Sequence, residues 1–255
     1  MLGIRAEDVA ADDEYAAMLR CAGLDEGQLR RIRIERTELG IVDLDRWSGI
    51  ILGGGPFQAS DHEEVKSSTQ RRVEAELTAL LDDVVERDFP FLGACYGIGT
   101  LGRHQGAVVD RTYAEPIGGV RIKVTRAGQD DPLFERPGTS FGAYVGHKKA
   151  ISKLPAHAVT LAYSERCPVQ AFRIGTQVYA TQFHPELDLD GLATRIEVYK
   201  YAGYFKPEEA DAVLAAARAS GVTAVPNILE RFVELFARRR TLDSSRTRRA
   251  LPKVR

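Results

Sequence analysis

Long apolar runs are missing from this sequence. No stretch of about 18 apolar residues occurs, so no transmembrane helix is expected. Net charge is nearly missing too: 35 basic and 36 acidic side chains in 255 residues leave a formal −1. That balance excludes bulk attraction to nucleic acid or to an anionic membrane. Cysteine is scarce and odd in number. Cys21, Cys95 and Cys167 stand far apart, so a reducing compartment is expected and a disulfide framework is not. The first eight residues turn acidic at once and lack a signal-peptide core, which makes a cytoplasmic location the expectation. No metal-ligand cluster, cofactor loop or internal repeat is evident, and no metal or cofactor is expected. What is present suffices for one large α/β domain or two small ones with a sizeable core.

In chain order, residues 2–5 read as a short strand and 7–22 as a helix with Val9, Tyr15, Met18 and Leu19 as its apolar positions. Residues 29–36 alternate and predict a second strand, and 49–52 predict a buried third one. Residues 57–70 are polar and without a hydrophobic period, which predicts a mobile surface loop. Helical spacing returns over 71–87, followed by an apolar strand after Pro90. Strands alternating with helices predict a mainly parallel sheet covered on both faces. Segments 120–124, 141–145, 159–163, 169–174 and 177–181 are short and closely spaced. They predict a smaller antiparallel sheet extending one side of the first. From Leu192 the pattern is helical, with Pro207 and Pro226 as first-turn prolines. Leu229, Phe232, Val233, Leu235 and Phe236 give the last helix an apolar face. The expected organisation is one domain over 1–240, with a helical extension from about residue 191, then a basic solvated tail over 241–255. No aromatic residues interleave the tail's arginines, so nucleic-acid contact is not expected.

Three segments can carry chemistry. Gly93-Ala94-Cys95-Tyr96-Gly97 has the spacing of a nucleophile elbow, with cysteine at the tip of a strand-to-helix turn. The helix N-terminus there favours a thiolate. The bland reading is a small buried hydrophobe. In Phe183-His184-Pro185-Glu186, His184 is a candidate base and Glu186 a candidate orienting acid. The bland reading is a structural histidine. Gly53-Gly54-Gly55-Pro56 is either a tight turn or an oxyanion loop rich in free N–H groups.

Together and in this order, Gly54-Gly55-Pro56, Cys95-Tyr96-Gly97 and Phe183-His184-Pro185-Glu186 resemble the class I glutamine amidotransferases. Within that family the likeness is to the amidotransferase domain of GMP synthase. It extends to Cys167-Pro168 and Gln182 and covers roughly residues 30–190. The resemblance implies a flavodoxin-like fold and hydrolysis of the glutamine side-chain amide. Cys95 would attack, His184 would move the proton, Glu186 would orient His184, and the N–H groups of Gly55 and Tyr96 would hold the oxyanion. Gly54, Phe57, Gly99, Gly146, His147 and Lys148 would line the glutamine pocket.

Two segments depart from the family. Gly99 stands where the family has a substrate-contacting glutamine, and in Gly146-His147-Lys148 only the histidine matches the family's Ser-His-Gly. No Ser-Gly-Gly-Val-Asp-Ser-type phosphate loop is present, so the expected partner is a separate ammonia-accepting synthetase subunit. The oligomeric state is left open. Two alternatives stand beside this reading: a γ-glutamyl hydrolase acting on a γ-glutamyl amine or peptide, and a non-catalytic binding module.

Overall fold

The structure, a computed structural model, describes residues 1–222 and 227–247, with 238–247 as helix backbone alone. Pro226 and residues 248–255 lie outside the described residues.

Strand β1 (Leu2–Gly3) leads into α1 (Asp8–Ala22), β2 (Ile32–Arg33), β3 (Ile50–Leu52) and α2 (Ser68–Glu86). Then come β4 (Phe91–Ala94), α3 (Tyr96–His104), β5 (Val108–Asp110), β6 (Glu115–Val124) and the single turn α4 (Arg126–Gln129). Strands β7 (Ser140–His147), β8 (Ala150–Lys153), β9 (Val159–Tyr163), β10 (Ala171–Ile174) and β11 (Val178–Thr181) follow. Helices α5 (Leu189–Val198), α6 (Ala210–Ala219) and α7 (Ile228–Thr247) complete the described chain.

Nine strands form one sheet in the order β2-β1-β3-β4-β11-β10-β9-β6-β7. The first five pair in parallel and the last four antiparallel. The antiparallel strands therefore extend the parallel ones in a single surface. Strands β5 and β8 make a separate antiparallel ribbon that the sequence pattern did not indicate. The period-2 geometry of the central strands feeds two cores. Ile50, Leu52, Phe91, Val178 and Ala180 face α2 and its Leu77, Leu81 and Val84. Ile51, Leu92 and Tyr179 face the opposite way, toward Met18 of α1 and Phe232 and Leu235 of α7. A third cluster, of Tyr144, Leu187, Leu192, Ile196 and Ala217, seals α5 and α6 onto the carboxyl end of the sheet.

Some elements differ from expectation. The strand expected over 29–36 shrinks to Ile32–Arg33, because backbone bonds from Leu29 to Asp25 and from Arg36 and Thr37 to Arg33 turn the chain on both sides. Val9 is 66% exposed; the buried face of α1 is instead Ala10, Ala11, Glu14, Ala17, Met18 and Ala22. Helix α2 begins at Ser68, where the Ser67 hydroxyl caps the Gln70 N–H at 3.0 Å. The segment before it is held by polar bonds: buried Lys66 pairs with Glu63 and Glu74, Gln70 donates to Gln58 O, and Lys149 reaches Asp61. Helix α7 continues to Thr247, past the expected start of the tail.

Candidate active site

The carboxyl ends of β4 and β11 are neighbours in the sheet, and the two strongest motifs emerge there side by side. Cys95 follows β4 and adopts φ 52°, ψ −88°, a conformation that costs a non-glycine residue strain. The surroundings enforce it. The Cys95 N–H donates to Thr181 O at 2.8 Å, and β4 passes so close to α3 that a Cβ on Gly93 would lie 2.9 Å from the carbonyl carbon of Gly97. The glycines of the elbow are thus required by the close approach of strand and helix.

After β11, the Thr181 hydroxyl donates to Phe183 O and the His184 N–H to Tyr144 O, which turns the imidazole back toward the elbow. His184 Nδ1 lies 2.8 Å from Glu186 Oε1 and 2.9 Å from a guanidinium nitrogen of Arg195. Two N–H donors cannot bond each other. The Nδ1–H therefore donates to Glu186, and Arg195 gives its own hydrogen bond to the same carboxylate oxygen at 2.7 Å. On its other side His184 interacts with the Cys95 side chain, and each favours the charged form of the other. Burial pushes the Cys95 thiol up, but the charge and hydrogen bond of His184, with Arg5 and Arg195 behind, carry it below its ordinary value. Burial likewise pulls His184 down, and Glu186 and the Cys95 thiolate outweigh it, so the imidazole is held above its ordinary value. Against burial, His184 and Arg195 together hold Glu186 well below the carboxylate range.

The oxyanion-loop glycines are pinned from the other side. The Gly54 N–H donates to Glu14 Oε1 at 3.1 Å, and the same oxygen pairs with Arg5 at 3.0 Å and sits 3.7 Å from Arg195. With Gly54 committed, Gly55 carries the loop's candidate oxyanion donor, beside the free N–H of Tyr96 at the start of α3. A Cβ on Gly54 would lie 2.6 Å from His184 Cε1, and one on Gly55 would lie 2.4 Å from the Ile4 side chain. No larger residue fits at either place without movement.

The site opens into two lobes that share Gly55, Cys95, Gly146 and Tyr204. One holds Phe57, Tyr96, Gly99, His147 and Lys149; the other holds His184, Arg5 and Arg195 at its base. Phe57 packs edge-on against Tyr96 with centroids 6.2 Å apart. A Cβ on Gly99 would meet only Ala59, so that position leaves open space. His147 is buried and bonds Glu115 at 3.0 Å. Lys148 lines neither lobe: its ammonium reaches Ala202 O at 2.6 Å and lies over the Tyr204 ring.

Sequence reasoning missed Arg5, Glu14, Arg195, Tyr199 and Tyr204. Glu14 had a signal, a lone carboxylate on the i, i+3, i+4 face formed by Ala10, Ala11, Ala17 and Met18. The arginines had none. Among the described residues, Glu14/His184/Glu186 and Glu115/His147/Cys167 each bring three ligand-type atoms within 4.8 Å of one another. In the first, Arg5 and Arg195 already supply the positive charge. In the second, the Glu115 oxygens already accept from His147, Ser164 and Gln170.

Comparison with known proteins agrees with this geometry. The chain is 32% identical over 142 residues to the glutamine-hydrolyzing GMP synthase of Thermosipho africanus, covering 55% of this chain and 24% of that protein. It is 31% identical over 140 residues to a glutamine-hydrolyzing GMP synthase subunit of Methanocaldococcus jannaschii, covering 54% of this chain and 64% of that protein. It thus spans less than two thirds of either relative. A glutamine amidotransferase from Thermotoga maritima shares the fold at TM-score 0.69 and 23% identity, over 91% of this chain and 97% of that one. A protein from Thermoplasma acidophilum described as a GMP synthase subunit does so at 0.57 and 21%, over 86% and 94%. Among the described residues no helix is long and apolar enough to cross a membrane. The model of the class I glutamine amidotransferases matches residues 16–196, the span that carries the elbow, the glycine loop and the His-Pro-Glu turn, and the chain belongs to that family.

Proposed function

We propose that this chain hydrolyses the side-chain amide of glutamine in the cytoplasm and passes the ammonia to a separate synthetase subunit. The observation that carries the reading is the strained Cys95 elbow facing an imidazole already paired with Glu186. The Cys95 thiolate attacks the amide carbon, and the N–H groups of Gly55 and Tyr96 receive the negative charge on oxygen. The C–N bond breaks as His184 protonates the departing nitrogen, leaving a γ-glutamyl thioester. Water, deprotonated by His184, then releases glutamate and restores the thiol. The names of the GMP synthase relatives support both glutamine as substrate and a separate partner. Nothing in the described residues activates an acceptor for ammonia.

Diazo-oxo-norleucine tests the nucleophile. It should label Cys95 alone, and labelling of Cys21 or Cys167 with Cys95 untouched would overturn the assignment. A γ-glutamyl hydrolase on the same machinery is the second reading, favoured by the space beside Gly99 and by the lobe on the His184 side.

A further inference from the structure

The two lobes around Cys95 divide a substrate between them. In acyl transfer the group that protonates the leaving atom must stand on the leaving side. His184 lines one lobe and is absent from the other, which holds Tyr96, Gly99 and His147. The γ-glutamyl part therefore belongs in the Gly99 lobe, and the leaving nitrogen with whatever it carries belongs in the His184 lobe.

Ammonia needs a space about the size of one water. The His184 lobe has room for several water-sized groups. Its walls are Pro56, Ile117, Val145, Leu187, Leu192 and the ring of Tyr199. Among the described residues that line it, the charges lie at the base and are matched: Arg5 with Glu14, and Arg195 with Glu186. None of these lining residues offers an unpaired cation to a carboxylate or an unpaired anion to an ammonium. Tyr199 and Tyr204 belong to chain beyond the residue 196 at which the family match ends, and Lys148 clamps that segment through Ala202 O and the Tyr204 ring. The segment beyond the family match thus adds the ring of Tyr199 to an apolar wall whose other residues, Pro56 to Leu192, lie within the match.

From this we infer that the site hydrolyses γ-glutamyl amides of small, neutral-bodied alkylamines in preference to glutamine. The inference rests on the assignment of Cys95 and His184 above and deepens the second reading given there, the γ-glutamyl hydrolase, in place of ammonia supply from glutamine. The chemistry balances as before. The carbon–nitrogen bond of the γ-amide breaks, the His184 proton passes to the nitrogen, the free alkylamine departs, and water hydrolyses the thioester to glutamate.

The test uses the full chain with three substrates: glutamine, γ-glutamyl ethylamide and γ-glutamyl isobutylamide. Each buried methylene should raise kcat/KM by about fourfold, so the ethylamide should exceed glutamine by about tenfold and the isobutylamide by about 10². Isobutylamine added to a glutamine reaction should also capture the thioester and yield γ-glutamyl isobutylamide, visible by mass spectrometry. Ile117→Trp, which fills the lobe, should lower the isobutylamide-to-glutamine ratio by about the same factor. Because the first two measurements need no variant, a misfolded Ile117→Trp leaves the test intact. Glutamine preferred over both alkylamides, with no amine capture, overturns the inference and leaves Cys95 as nucleophile. Failure of diazo-oxo-norleucine to label Cys95, with none of the three amides hydrolysed, overturns the catalytic assignment itself.

Discussion

A buried histidine, a buried glutamate and a cysteine meet twice in this protein. At one place His184 lies 2.8 Å from Glu186 and is coupled electrostatically to Cys95; at the other His147 lies 3.0 Å from Glu115 beside Cys167. The difference lies in what surrounds them. Cys95 sits partly exposed at a helix N-terminus with Arg5 and Arg195 nearby, and its thiol is lowered. Cys167 is fully buried, and burial pushes its thiol up to about 12 while the bond to Val169 O opposes only weakly. Glu186 shares its load between a histidine and an arginine; Glu115 is saturated by three neutral-capable donors, His147, Ser164 and Gln170. The same residue types make a charge-separated site in one place and a polar staple in the other.

The sharpest way to break that comparison is to remove each sulfur's reactivity. Cys95→Ser should lower kcat by at least about 10⁴, whereas Cys167→Ser should stay within a few-fold; equal losses would dissolve the distinction. The carboxylates come next. Glu186→Gln should lower kcat by about 10²–10³, less than the ~10⁴ of a serine triad because a Cys–His pair forms its thiolate partly unaided. Glu115→Gln should leave kcat close to wild type and instead cost about 1–3 kcal/mol of stability in urea unfolding. A large kcat loss without destabilisation at Glu115 would give it a chemical role.

Glu14 links the oxyanion loop to both arginines, so Glu14→Gln should slow turnover about tenfold and cost about 3–5 kcal/mol of stability by leaving buried arginines unmatched. Unchanged stability would mean that Arg5 and Arg195 find other partners. The smallest effect is a shift of the pH profile. In wild type, kcat/KM should rise on the acid side as the lowered Cys95 thiol ionises and fall on the alkaline side as the raised His184 loses its proton. Arg195 lowers both groups, so Arg195→Gln should move both limbs toward higher pH. A shift of either limb toward lower pH would contradict the electrostatic role of Arg195.

Much of this was legible in the chain. The elbow, the glycine loop and the His-Pro-Glu turn are local devices whose spacing is set by backbone geometry, so they survive as motifs. The parallel core was legible because strands buried on both faces read as short apolar runs. The ribbon of β5 and β8 was not, because Val108–Asp110 and Ala150–Lys153 are too short for a period to register. Val9 misled because an apolar residue in a helix says nothing about which side the helix buries.

By itself, the sequence determined the types and order of the groups around Cys95 and that glycine must stand where strand and helix nearly touch. Tertiary structure alone decided which of two His–Glu pairs meets the elbow cysteine, because that depends on β4 and β11 lying side by side. It alone brought Arg5, Glu14 and Arg195, separated by some 190 residues, onto one carboxylate network, since long-range charge pairing leaves no periodic trace in sequence. It also placed Tyr199 in the lobe that holds His184 and Tyr204 between the two lobes, where the segment after α5 packs against β7 through Phe205 and Tyr144.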